Sequence, residues 1–216
     1  MGFSDAHTVS DAVVVIDDNP GIRDALDLLL TSVDYQVLTF PDAEAFLDAQ
    51  LARPVGCLIL DIRMPGRSGL DLQDHLNAVG ARLPIVFITG FADVPITVRA
   101  MKAGAIDVLS KPFREQELLD AVQRAIQTGE TWRREAETVC ELRQRYETLT
   151  PREREILFGV AAGRLNKQIA CDLGVTEITV KAHRGHVMRK MHAHSLPELV
   201  RQADRIAPKP ERPRAA

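Results

Sequence analysis

Residues 57–70 read CLILDIRMPGRSGL: four apolar side chains in a row, an aspartate, and a turn rich in Pro and Gly before Leu70 opens a helical pattern. A run that is apolar at every position suits a strand buried on both faces, as in a parallel sheet. Similar short runs lie on either side, at Ala12–Ile16, Gln36–Phe40, Ile85–Ile88 and Ile106–Leu109. Between and after them, Ile22–Val33, Ala43–Leu51, Leu70–Val79, Val94–Ala103 and Glu115–Ile126 carry apolar residues at helical spacing. This alternation predicts an α/β domain over residues 1–126. Its core is a five-stranded, doubly wound parallel sheet, because each crossover helix must pack back onto the sheet it leaves.

Functional groups in such sheets gather at the carboxyl ends of the strands. Asp17 and Asp18 follow the first apolar run, Asp61 the third, Thr89 ends the fourth, and Lys111 follows the fifth. If the first, third, fourth and fifth strands are neighbours, all five side chains converge on one edge. Three crowded carboxylates repel one another unless a cation offsets their charge. Such hard oxygen donors suit Mg²⁺, which takes one or two carboxylates and readily accepts phosphate oxygens. A carboxylate that attacks phosphorus needs that neutralisation, and a lysine contributes to it. Thr89 is placed to hydrogen-bond a phosphoryl oxygen.

The segments IDDNPGIRDAL (16–26), LILDIRMPGRSGLDL (58–72), FITG (87–90) and SKPF (110–113) resemble the receiver domain of bacterial two-component response regulators, over about residues 11–126. The resemblance implies the flavodoxin-like receiver fold and phosphotransfer from a histidine kinase to Asp61. It implies Mg²⁺ held by Asp18, Asp61 and the backbone carbonyl of Arg63, with Asp17 acting through a bound water. Thr89 and Lys111 match the switch threonine and the phosphate-pairing lysine. Where receivers usually carry an aromatic residue, three positions before the lysine, this chain has Val108. The stretch GFADVPITVRAMKAGAIDVL (90–109) is similar to the FixJ-like branch, which implies dimerisation through the fourth helix and fifth strand after phosphorylation.

The net charge of −3 hides an asymmetry: residues 1–126 hold 10 Lys/Arg against 18 Asp/Glu, whereas residues 150–216 hold 13 against 7. An acidic half joined to a basic half points to a polyanion partner for the C-terminal part alone. Residues 127–149 read as a charged helical linker with one apolar stripe (Trp132, Ala136, Val139, Leu142, Tyr146 and Leu149), for which packing within the chain is the expectation. Thr150-Pro151-Arg152-Glu153 is a capping box with proline at the first helical position. Helices are predicted at 151–163, 166–173, 176–191 and 196–206, an all-α domain over 150–206. The tail 207–216 is proline- and charge-rich and is expected to be disordered.

Residues 166–191, NKQIACDLGVTEITVKAHRGHVMRKM, have helix-turn-helix grammar: Ala170 at a close crossing, Gly174 in the turn and Thr176 as the next cap. Ile169, Leu173, Val175, Val180, Val187 and Met191 supply a small core, leaving Glu177, Thr179, Lys181 and Arg184 outward. With LTPREREIL (149–157), this segment resembles the LuxR-type DNA-binding domain of NarL/FixJ regulators over about residues 148–205. The resemblance implies base contacts from Lys181 and Ala182, and contacts to the DNA backbone or groove wall from Thr179 and Arg184. Gly185 stands where some relatives place a base-contacting side chain.

The three cysteines, Cys57, Cys140 and Cys171, lack metal or redox spacing, and buried thiols are expected at Cys57 and Cys171. His183 and His186 share a helical face, but no carboxylate or cysteine completes a recognisable ligand set with them or with His192 and His194, for which packing or phosphate contact is expected. Residues 1–10 lack a basic and an apolar region of the secretory kind, and no run suits a membrane span, so a cytoplasmic location is expected.

Together these readings describe a regulator whose DNA-binding domain is controlled by phosphorylation of Asp61. Its expected partners are a cognate histidine kinase, double-stranded promoter DNA, RNA polymerase and, once phosphorylated, a second copy of itself. Two rivals use the same residues. An aspartyl-phosphate phosphatase needs a second acid two positions after its nucleophile, where this chain has Arg63. A phosphate-independent regulator would keep the receiver only as an interaction module.

Overall fold

The computed structural model describes residues 11–51, 54–90 and 93–207. Residues 208–216, most of the tail expected to be disordered, lie outside them, as do residues 1–10. The chain divides into two compact units, Met1–Arg133 and Arg134–Ala216.

The first unit runs β1 (Ala12–Ile16), α1 (Pro20–Thr31), β2 (Val37–Phe40), α2 (Ala43–Asp48), β3 (Val55–Asp61), α3 (Gly69–Ala78), β4 (Ile85–Thr89), α4 (Val94–Lys102) and β5 (Asp107–Ser110). Helix α5 follows at Glu115–Glu147. The strands form one parallel sheet in the order β2-β1-β3-β4-β5, the doubly wound arrangement expected. Alternation splits its side chains between two cores. Val14, Ile16, Leu58, Leu60 and Phe87 pack on one side with α3, and Val13, Val15, Ile59, Val86 and Ile88 pack on the other with α1 and α5.

Helix starts are set by side-chain caps. Asn19, Asp42, Ser68 and Asp93 each accept a backbone N–H of the first turn of the helix that follows. The Asn19 cap and Pro20 start α1 two residues before the predicted Ile22, because a capped proline opens a helix before its apolar face begins.

The linker helix predicted at 127–149 is not separate from the helix predicted at Glu115–Ile126. Both belong to α5, 33 residues long. Leu118, Ala121, Val122 and Ala125 enter the core against the sheet. Arg82 lies over the Trp132 ring at 4.0 Å, and Arg133 pairs with Asp11. In the second unit Leu142 and Leu149 are buried and Tyr146 packs beside them.

The second unit continues with α6 (Pro151–Ala161), α7 (Asn166–Leu173), α8 (Glu177–Lys190) and α9 (Leu196–Ile206). Its core holds Ile156, Leu157, Val160, Ile169, Ala170, Val180, Val187, Met191 and Leu199, with Leu173 and Val175 packed on its edge. The Thr150 capping box forms in full. Gly174 ends α7 at φ 64°, a left-handed conformation that side chains with a Cβ disfavour, and Thr176 caps α8. Cys57 is buried as expected, but Cys171 is exposed: one step along α7 from buried Ala170, the chain has turned about 100° away from the core.

Candidate functional site

The sheet register brings the candidate residues of the first unit together. Ile16 lies opposite Leu60, Asp61 opposite Ile88 and Thr89 opposite Ser110. Asp17, Asp61, Thr89 and Lys111 therefore end four adjacent strands. Carboxylate oxygens of Asp17, Asp18 and Asp61 lie within 4.8 Å of one another. Lys111 Nζ donates to Asp17 Oδ2 and to Asp61 Oδ2, each at 2.7 Å.

Backbone contacts hold the acids in place. Asp17 Oδ1 accepts the amide of Asn19 at 2.9 Å, and Asp61 Oδ1 accepts the amide of Arg63 at 3.0 Å. Arg23, which the sequence did not single out, donates from its guanidinium to the Asp17 carbonyl at 2.6 Å. Gly69 lies beneath the acceptor loop: a Cβ there would stand 2.3 Å from the Asp61 carbonyl oxygen. Asp17 and Thr89 are fully buried, and Asp61 is 7% exposed.

Burial pushes the Asp17 carboxyl above its ordinary pKa, although the Lys111 hydrogen bond and the Asn19 amide pull the other way. Burial alone would lower the Lys111 ammonium, but its bonds to Asp17 and Asp61 outweigh that and raise it. Lys111 is thus held as a cation between two acids. One ammonium among three carboxylates leaves the cluster with surplus negative charge and free oxygen donors.

In the second unit Lys181 and Ala182 are exposed on α8, while Thr179 and Arg184 are half-buried. Thr179 meets Thr176 at the helix start, with the two hydroxyl oxygens 2.9 Å apart. Arg184 donates to Asn166 Oδ1 at 2.5 Å and so ties α8 to the first residue of α7.

Glu153 corrects the expectation that no carboxylate stands with the histidines. Ligand atoms of Glu153, His183 and His186 lie within 4.8 Å of one another. The carboxylate is already engaged, however. Glu153 Oε2 takes Lys190 Nζ at 2.7 Å and the Thr150 amide at 2.8 Å, and His186 Nδ1 stands 3.8 Å from Oε1. Burial would raise the Glu153 pKa, but the Lys190 and Thr150 hydrogen bonds prevail and lower it. The arrangement is a structural knot that ties α6 to the end of α8.

Comparison with known proteins places the chain in a family. Residues 13–123 match the response regulator receiver domain, and residues 147–203 match the bacterial regulatory proteins of the luxR family. Transcriptional regulatory protein FixJ of Bradyrhizobium diazoefficiens is 40% identical over 198 residues, covering 92% of this chain and 97% of that protein. The chain belongs to the NarL/FixJ family of two-component response regulators.

Nodulation protein W of the same organism is 46% identical to this response regulator over 205 residues, covering 95% of this chain and 90% of that one. Among solved structures, response regulator StyR superposes with a TM-score of 0.74 at 46% identity, covering 90% of this chain and 98% of that one. Full-length FixJ from B. japonicum gives 0.55 at 40% identity, covering 91% and 97%. The response regulator therefore combines a receiver with a LuxR-type DNA-binding domain and is a transcription regulator, not a metabolic hydrolase. Among the described residues, no helix is long and apolar enough to cross a membrane.

Proposed function

We propose that Asp61 accepts a phosphoryl group from a cognate histidine kinase and that this modification controls promoter binding. The observation that carries the reading is the cluster itself: three carboxylates within 4.8 Å, with Lys111 at 2.7 Å from both Asp17 and Asp61. In the transfer, an Asp61 carboxylate oxygen forms the new P–O bond as the P–N bond to the kinase histidine breaks. Lys111 can pair with the arriving phosphoryl oxygens, and the hydroxyl of buried Thr89 at the adjacent strand end donates a hydrogen bond to one of them.

The donor set fits a divalent cation, because all its members are hard oxygens and their charge exceeds what one ammonium offsets. Asp18, Asp61 and the backbone carbonyl of Arg63 would hold Mg²⁺, with Asp17 acting through a bound water. When bound, the ion supplies charge neutralisation at the phosphoryl group.

Dimerisation through α4 and β5 is the proposed response. Val94, Val98 and Met101 recur at steps of four and three along α4 and are 76%, 43% and 45% exposed, an apolar stripe suited to a second copy. Two linked DNA-binding domains occupy two half-sites more tightly than one. Thr179, Lys181, Ala182 and Arg184 are the proposed DNA contacts. Promoter occupancy beside RNA polymerase, with activation as the outcome, completes the reading.

The test is exposure to a small-molecule phosphoryl donor with Mg²⁺, followed by mass, oligomeric state and DNA affinity. Wild type is expected to gain one phosphoryl group, dimerise and bind DNA more tightly, whereas Asp61→Asn does none of these. An Asp61→Asn protein that responds like wild type refutes the assignment.

A further inference from the structure

Buried Val180, Val187 and Met191 define the inner side of α8. Opposite them, steps of four, three and four residues align Ile178, Ala182, Gly185 and Arg189 on the outer side. Ile178 is 82% exposed, the most exposed large apolar side chain among the described residues. Ala182 and Gly185 are also exposed, and nothing lies within 4 Å of where a Gly185 Cβ would stand. Packing within the protein explains neither residue. A glycine in a helix interior is destabilising relative to alanine, and an isoleucine in water loses its burial.

The flanks of this ridge differ from its crest. Lys181 lies on one side, His186 on the other, and Arg189 closes the end. A crest of small and apolar residues beside the cations Lys181 and Arg189 matches the major groove, which is lined by phosphates and carries an apolar group on its floor only at thymine C5-methyls.

We propose that Ile178 reads a thymine methyl in the major groove, and that Ala182 and Gly185 give α8 the clearance to bring it there. The assignment rests on α8 being the helix that faces DNA. Gly185 keeps the crest low, so its helix cost is offset by closer approach to the bases. Ile178 sits one turn before Ala182 and has a larger side chain than Ala182 or Gly185, so it contributes apolar contact without a hydrogen bond. The discrimination it provides is between thymine and bases that lack the methyl.

The experiment uses the full-length chain treated with a small-molecule phosphoryl donor. Duplexes are selected from a random-sequence pool by wild type and by Ile178→Ser. Each thymine of the wild-type consensus is then replaced singly by deoxyuridine, which removes only the methyl. At least one replacement in each half-site is expected to weaken wild type about three- to fivefold, the worth of one buried methyl group, and to leave Ile178→Ser unaffected. Gly185→Ala is expected to melt at a higher temperature than wild type yet bind the consensus more weakly. Equal wild-type affinity for every deoxyuridine duplex overturns the proposal, as does an equal loss in Ile178→Ser. Undiminished binding by Gly185→Ala overturns the clearance role. If wild type enriches no sequence, the reading of α8 as the DNA-facing helix fails and the proposal with it, whereas the other refuting results retain specific binding.

Discussion

Replacing Gly69 with alanine tests the link between backbone packing and the acceptor. A Cβ at this position would lie 2.3 Å from the Asp61 carbonyl oxygen and 3.0 Å from Leu60 Cγ. The leucine could adjust, but the carbonyl belongs to a strand locked between β1 and β4. Restoring even a 3.0 Å separation from 2.3 Å requires α3 or the acceptor backbone to move by about 0.7 Å. Overpacking of this kind costs about 1–3 kcal/mol. The helical gain of alanine over glycine, at most about 1 kcal/mol, offsets part of it. A net destabilisation of about 1–2 kcal/mol is therefore expected in urea unfolding of the receiver. The functional effect should be larger, because sub-ångström misplacement of a nucleophile costs about 10- to 100-fold in rate. Phosphorylation by a small-molecule donor in Mg²⁺, followed by intact mass, measures that rate. An alanine variant as stable as wild type and phosphorylated at the same rate would refute the reasoning.

Three further outcomes follow from the geometry. Glu153→Gln should lower stability at pH 7 by about 1–2 kcal/mol, since it removes a charge-assisted bond to Lys190 and weakens the Thr150 cap. The folded-state pKa of Glu153 lies below the ordinary 4.5, so this stabilisation is complete above that value and is lost as pH falls through the folded value. Thermal melts should accordingly show the two proteins converging below about pH 4.5, and a constant gap would contradict the assignment. Lys181→Ala should weaken DNA binding by about 1–3 kcal/mol if Lys181 contacts a base, without altering phosphorylation; unchanged specific affinity in a salt-controlled titration rules out that contact. Val98→Asp on the exposed stripe of α4 should leave phosphorylation intact and abolish phosphorylation-dependent dimerisation, read by light scattering; a variant that still dimerises points to another face.

The parallel sheet and its acidic edge were legible because their signals are local. Each strand is a short apolar run, and Asp17, Asp61, Thr89 and Lys111 each sit at or just beyond the end of one. Helix α5 was not legible as one element. Its apolar side chains serve one core from Leu118 to Ala125 and another from Leu142 onward, so no single stripe runs its length. Pairings across long sequence separations were equally hidden. Glu153 meets Lys190 and Arg184 meets Asn166, and neither follows from spacing or composition. Exposure on short helices was likewise difficult to judge, as Cys171 shows.

The knot around Glu153 has a thermodynamic meaning for recognition. Lys190 also donates to the Thr148 carbonyl at 3.1 Å, Arg184 grips Asn166, and Arg152 reaches the Leu173 carbonyl at the turn before α8. Helix α8 is thus pinned near its middle and at its end, and the turn that leads into it is pinned as well. For the proposed docking of α8 in a groove, little ordering entropy is left for it to lose. Phosphate contacts and counterion release can then appear as affinity, and association need not await a folding step. Calorimetrically, the heat-capacity change on binding should reflect the interface alone, without the larger contribution of a segment that folds as it docks.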